Sequence, residues 1–262
     1  MREPIALSIT EGLARITLNR PARLNAFDPG MAHAWEQAAT IATSRDDVGA
    51  ILVAGNGPSF CAGGDVVAMS GEGVSQFNLE TLANTINRGI TALLESSLPV
   101  VAAAHGTTAG GGLGILLASD VAVIGSGSRL GSRYANLGLT PDLSVTAQLS
   151  MAVGQRRALQ LLLTDKMLTA AEALDWGLAA EVVVGPEGGD EASLVRQRAL
   201  AIAQSWLEGA SSAFGQAKRL VRAQPGRDPG EQLADEARTI AASLRTPQAQ
   251  ARIRAFVNKH PS

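Results

Sequence analysis

Pro99-Val100-Val101-Ala102-Ala103-Ala104-His105-Gly106 is followed, three residues on, by Gly110-Gly111-Gly112-Leu113-Gly114. An apolar run without polar alternation is what a strand buried on both faces needs, and such strands belong to parallel sheets covered by helices. The glycine run opens a short apolar helix reaching Ala118, and Asp120 to Ile124 is the next strand. Strand, glycine turn, helix and strand again make an α/β alternation.

The same unit stands upstream. Ala50-Ile51-Leu52-Val53-Ala54 is a buried strand, ended by Gly55-Asn56-Gly57-Pro58 and followed by Phe60-Cys61-Ala62-Gly63-Gly64-Asp65. Open α/β sheets take ligands beyond the carboxyl ends of their strands. Glycine lets the backbone approach a ligand, and N–H groups at a helix start favour a negative oxygen. Two such clusters at two strand ends can bring two donors to one oxygen. Neither is specific alone, because glycines after strands more often serve turns and tight packing. Spacing excludes a dinucleotide or P-loop site: Gly110 to Gly114 lacks G-x-G-x-x-G, and no G-K-[ST] follows either cluster.

Working outward, Ile5 to Asn19 alternates apolar and polar residues around Glu11-Gly12, the pattern of a β-hairpin. Helices are predicted over Pro29 to Thr43, Leu79 to Glu95, Ser144 to Ala152 and Gln155 to Leu163. Thr169-Ala170-Ala171-Glu172 has capping-box spacing for a helix ending near Gly177, and Glu181 to Val184 is the last strand. Gly185 to Gly189 reads as a loop. Everything after Glu191 reads as helix, interrupted at Gln224-Pro225-Gly226 and Asp228-Pro229-Gly230.

Lys and Arg total 22 against 24 for Asp and Glu, and with no basic run or interleaved aromatics nothing points to a nucleic-acid partner. The apolar region from Pro99 to Gly125 contains His105, Asp120 and several glycines, which fit strand, turn and buried helix rather than a membrane span. The lone Cys61 excludes an intramolecular disulfide and fits a reducing compartment; with no apolar leader after Met1, the expectation is a cytoplasmic protein. Three scattered histidines, His33, His105 and His260, offer no metal site.

The ordered motifs, taken together, resemble the crotonase superfamily, also called the enoyl-CoA hydratase/isomerase family. They are Leu18-Asn19-Arg20-Pro21 with Leu24-Asn25-Ala26, Phe60 to Asp65, Pro99 to Gly106, Ala109 to Gly112, Ala118-Ser119-Asp120, Gly138-Leu139-Thr140-Pro141-Asp142, Leu168 to Ala173 and Trp176-Gly177-Leu178. The resemblance implies a spiral of ββα repeats over residues 1–195 and a helical trimerisation region over 196–262. It implies an acyl-coenzyme A thioester as substrate, no separate cofactor, and a homotrimer or dimer of trimers. It makes Gly64 and Gly111 the donors of an oxyanion hole. It places coenzyme contacts around Arg23, Leu24 and Ala26, ligand-lining residues at Ala62, Asp65 and Val66, and a neighbouring subunit's contacts at Phe256 and Lys259. The stretch from Met69 to Gln76 would line the acyl pocket.

Hydratases of this family use two glutamates, and both are missing. The first would fall at Gly114 and the second at Tyr134. Asp142 is the acid that remains, at a position where related isomerases carry Asp or Glu and a dehalogenase branch carries a nucleophilic Asp. The alternative is that Asp142 caps the helix starting near Ser144. With the motifs in view, chemistry is favoured. One carboxylate can take a proton from one carbon and return it to another, so the leading expectation is an enoyl-CoA isomerase with Asp142 as acid and base. The name enoyl-CoA hydratase that the family resemblance carries, an Asp-nucleophile hydrolase or dehalogenase, and a non-catalytic acyl-CoA binder are the other readings. His105 reads as a turn residue and Cys61 as a small buried residue. The exposed-looking Arg238, Arg245, Arg252 and Arg254 read as a solvated helix face.

Overall fold

The computed structural model describes residues 3–70, 76–186 and 189–259. Most of the expected acyl-pocket stretch (71–75), Glu187 and Gly188 of the expected loop, and His260 lie outside those residues.

The strands, in chain order, are β1 (Ile5–Thr10), β2 (Leu13–Leu18), β3 (Ala50–Gly55), β4 (Val100–Ala104), β5 (Thr107–Ala109), β6 (Val121–Gly125), β7 (Arg129–Gly131), β8 (Met167–Thr169) and β9 (Glu181–Val183). The helices are α1 (Pro29–Ser44), α2 (Val66–Met69), α3 (Gln76–Glu95), α4 (Gly111–Leu117), α5 (Val145–Val153), α6 (Gln155–Leu163), α7 (Ala170–Asp175), α8 (Glu191–Glu208), α9 (Ser211–Ala223), α10 (Pro229–Leu244) and α11 (Pro247–Lys259).

The main sheet has the order β1-β2-β3-β4-β6-β9. Its hairpin β1–β2 is antiparallel, and every later pairing in it is parallel. β3 and β4 are buried at every residue, which is why they lack alternation in sequence. A second, small sheet has the order β5-β7-β8. The chain therefore climbs as a spiral: β4 then β5 then α4, and β6 then β7 then α5 and α6. In the preceding turn the second strand is reduced to isolated bridges, Cys61 to Thr108 and Gly64 to Phe27.

The small sheet went unread in the sequence, and β5 separates the second glycine cluster from the strand it was expected to follow directly. Strands of three residues are too short to carry a period. The C-terminal helices also break at two further places, around Gly209 and Thr246. The second had a usable signal, because Thr246 precedes Pro247 and its hydroxyl accepts the Ala249 N–H at 3.2 Å. The capping box is formed as expected: Glu172 N–H donates to Thr169 Oγ1, and Thr169 N–H donates back to Glu172.

On one face of the sheet α1 packs with α3, and Trp35, Met31 and Ile86 are buried there. On the other, Val195, Ala199 and Ala203 of α8 are fully buried against β3, β4 and β6. The boundary expected at residue 195 thus falls inside a helix of the sheet-packed body. α10 and α11 bury no residue within this chain, and Leu233, Ile240 and Val257 are exposed. Among the described residues no helix is long and apolar enough to cross a membrane.

α9 is fastened to the body by a buried ion pair. Lys218 Nζ lies 3.0 Å from Asp120 Oδ2 and donates to the Leu93 and Leu98 carbonyls at 2.8 and 2.7 Å. Arg222 pairs with the other Asp120 oxygen at 2.7 Å, and Val100 N–H donates to Asp120 at 2.8 Å. Burial pulls the Lys218 pKa down and Asp120 works against that. Asp120→Ala should cost about 3–5 kcal/mol of unfolding free energy, measured by urea titration, because it leaves an ammonium buried without its counter-ion.

Candidate active site

Hydrogen bonds tie the two motif-bearing loops and the segment after β2 together. Ala62 N–H donates to the Leu24 carbonyl at 3.0 Å, Phe27 N–H to Gly63 at 2.8 Å and Asp65 N–H to Phe27 at 2.9 Å. Asn25 is fully buried and its amide donates to the Asn56 and Ser59 carbonyls. From the other side, Ala109 N–H donates to Cys61, and Gly110 N–H is shared between the Gly131 and Ser132 carbonyls. The two loops touch: a Cβ at Gly63 would lie 3.2 Å from the Gly111 nitrogen. Gly63 (φ 108°) and Gly110 (φ 52°) are both in the positive region, which is why glycine stands at these approaches.

Gly64 and Gly111 line one cavity of about 440 Å³, together with Tyr134 and Asp142. Neither the Gly64 nor the Gly111 N–H donates to any partner among the described residues. Unpaired main-chain donors at the wall of a pocket are rare and are free for a ligand oxygen. Much of the remaining wall is apolar, with Leu82, Ile86, Leu137 and Leu143 among it.

Asp142 does not cap α5. The N-cap residue there is Ser144, and no side chain bonds to the helix start; only the Asp142 carbonyl takes the Val145 N–H. The carboxylate instead accepts from the phenol: Tyr134 Oη donates to Oδ1 at 2.5 Å. Burial raises the Asp142 pKa above the ordinary carboxylate range, and the Tyr134 hydrogen bond works against it. Burial, and next the Asp142 charge, drive the Tyr134 phenol strongly upward, so it stays protonated and donates.

Both ends of this pair are flanked by backbone that side chains rarely adopt. Arg133 has φ 59°, Leu143 φ 51° and Ser144 φ 62°. The strained turn at Leu143 leans on α4. A Cβ at Gly114 would lie 2.5 Å from the Leu143 carbonyl oxygen and 2.8 Å from its Cβ. The space that a side chain at 114 would need is filled by the segment that carries Asp142. Sequence reasoning found the missing acid at Gly114 but not this replacement, and the contact left no signal in the residue types.

The other expected residues are distributed as follows. Ala62 and Val66 line the cavity. Asp65 does not: its carboxylate pairs with Arg20 at 3.1 Å and caps α2 through the Ala68 N–H at 3.2 Å. Arg23 and Leu24 are exposed and Ala26 is buried, all outside this cavity but joined to Ala62 through Leu24. Phe256 and Lys259 lie exposed on α11 and do not line the cavity of their own chain. His105 donates through Nε2 to the Gly57 carbonyl at 2.7 Å, a turn contact. Burial pushes the Cys61 thiol up to about 12, which leaves it protonated and unreactive.

A family model described as enoyl-CoA hydratase/isomerase matches residues 8–262. The chain belongs to this family. Among curated relatives, it is 34% identical to a probable enoyl-CoA hydratase of Rhodobacter capsulatus, over 98% of this chain and 96% of the relative. It is 32% identical to the 1,2-epoxyphenylacetyl-CoA isomerase of Escherichia coli, over 70% of this chain and 71% of the relative. Among solved structures, a putative enoyl-CoA hydratase/isomerase of Mycobacterium abscessus superposes with a TM-score of 0.90 at 29% identity, covering 97% and 96% of the two chains. The spiral of this crotonase superfamily member thus agrees with the fold that the motifs implied.

Proposed function

We propose that the chain is an enoyl-CoA isomerase that moves a double bond from the 3,4 to the 2,3 position of an acyl-CoA thioester. The thioester oxygen sits between the Gly64 and Gly111 N–H groups. Asp142 takes a proton from C2, the charge passes to that oxygen as a dienolate, and the same carboxyl returns a proton to C4. The electron pair of the broken C2–H bond becomes the new C2–C3 bond, and the old C3–C4 pair accepts the returning proton. One observation carries the reading. The cavity holds Asp142 and two main-chain donors unpaired among the described residues, while the place of a hydratase's first acid is filled by Leu143 and that of its second holds a phenol.

The coenzyme's adenine end is assigned to Arg23, Leu24 and Ala26, and its inner part to Ala62 and Val66. The exposed apolar faces of α10 and α11 support a homotrimer or dimer of trimers, in which Phe256 and Lys259 serve a neighbour's coenzyme. A cytoplasmic location belongs to the same reading.

Mass spectrometry and ultraviolet absorbance on purified protein test it. With 3-enoyl-CoA, the expected product is the conjugated 2-enoyl-CoA of unchanged mass. In heavy water one deuterium at most enters per turnover. A 3-hydroxyacyl-CoA, heavier by one water, as the main product from either isomer would overturn the isomerase assignment.

A further inference from the structure

Tyr134 is the only tyrosine in the chain and its ring is buried. Its hydroxyl donates to Asp142 Oδ1, the one side chain it bonds among the described residues, and the Asp142 backbone also interacts with it. Asp142 Oδ2 accepts from no side chain among the described residues and belongs to the residue that lines the cavity. The pair spans eight residues, and the chain between them turns at Gly138, where φ is 69°. Arg133 before the phenol and Leu143 after the carboxylate both hold left-handed backbone. Such strain persists only where the surroundings fix it, so both ends of the hydrogen bond are held in place.

We infer that Tyr134 is a positioning residue for Asp142: its phenol holds Oδ1, leaves Oδ2 as the oxygen that meets the substrate, and tunes how readily the carboxyl ionises. This deepens the isomerase reading and rests on it. The phenol does not touch the reacting carbons. It acts through the carboxylate, as a donor that steadies the anion against the burial that disfavours it.

Other groups facing the pair do not supply that effect. Arg133 lines the cavity but pairs with Asp165. Glu80 reaches the cavity from α3. The Cys61 thiol, on the loop after β3, stays neutral. No charged side chain contributes to the shift of Asp142, whose causes are burial, the phenol and its own backbone.

The sign follows. Asp142 must be ionised to take the proton, so kcat/KM falls as pH drops through its pKa. Removing the phenol removes a hydrogen bond to the ionised form and raises that pKa. Tyr134→Phe should therefore move the acid limb of the pH–rate profile to higher pH by roughly one to two units, the size of a hydrogen bond to an ionised group. On the plateau above the limb, kcat should fall about tenfold while KM stays within about twofold, because orientation and not binding is lost.

Growth on 3-fluorotyrosine gives an independent arm. With one tyrosine in the chain, the label enters at position 134 alone. A fluorinated phenol is more acidic and donates more strongly, so the limb should move to lower pH. The fluorine resonance should titrate with that limb and stop doing so in Asp142→Asn. This nearly isosteric protein keeps the test available should the Phe variant not fold.

If Asp142→Asn isomerises as fast as wild type, the isomerase reading itself fails. If Asp142→Asn is inactive while both Tyr134→Phe and the fluorinated protein keep the wild-type limb, the phenol only packs and the inference fails alone.

Discussion

Asp142→Ala is expected to lower kcat for the double-bond shift by about 10³-fold, within the 10²–10⁴ range of general acid–base groups. Its KM, and its affinity for a non-reactive acyl-CoA, should change by no more than about threefold. Asp142 is the acid that lines the cavity with the Gly64 and Gly111 N–H groups, half-buried and held by Tyr134. Glu80 also lines the cavity, from α3, but no phenol or strained turn holds it. The residual rate should remain well above that in water, because the main-chain donors survive the substitution and a single such donor is worth about 3 kcal/mol. Stability should fall by about 1–3 kcal/mol at most: alanine removes a half-buried carboxyl whose ionised form was disfavoured there, but leaves the buried Tyr134 hydroxyl without that acceptor. Stopped-flow absorbance with 3-enoyl-CoA, beside calorimetric titration of a saturated acyl-CoA, reads both quantities. A variant that kept its rate would end the acid–base role. One that lost thioester affinity in step with rate would make Asp142 part of the binding surface instead.

The extent to which this site could be read in advance follows from which forces act locally. The buried strands β3 and β4, the hairpin and the Thr169 capping box are written in short windows, as apolar runs, alternation and capping types. The glycine clusters showed where the backbone comes close, and Gly63 and Gly110 do hold positive φ. The family's order of motifs supplied the pairing of the two clusters, which spacing alone could not. What stayed hidden are contacts between residues of ordinary type brought together by the spiral. β5, β7 and β8 have three residues each. The Tyr134 to Asp142 hydrogen bond needs the turn at Gly138 and two left-handed neighbours, and neither Arg133 nor Leu143 is a residue that advertises such a conformation. Asp65, expected at the ligand, instead caps α2 and pairs with Arg20, a partner that lies far back in the sequence.

Gly114→Ala is expected to cost at least about 10²-fold in kcat, although it adds one methyl group to a helix and touches no substrate. By propensity alone the change should stabilise α4 by up to about 1 kcal/mol, since alanine replaces glycine inside a helix. The added Cβ would meet the Leu143 carbonyl oxygen at 2.5 Å and the Leu143 Cβ at 2.8 Å. Neither atom is the end of a flexible side chain, so the turn at Leu143 and Ser144 must move as backbone. That turn is strained already and carries Asp142 on its preceding residue. A displacement near 1 Å is enough to cost 10²-fold in a proton transfer that depends on alignment. Overpacking should also lower stability by roughly 1–3 kcal/mol before the helix gain offsets part of it. Isomerisation kinetics and a thermal melt on one preparation measure both effects. A Gly114→Ala protein with wild-type rate and a higher Tm would show that the turn yields freely, and that Asp142 is placed by something other than its contact with α4. By the same reasoning Gly114→Glu, which restores a hydratase's acid in residue type, should give no 3-hydroxyacyl product. The carboxylate would have to displace the backbone that holds the acid already in use.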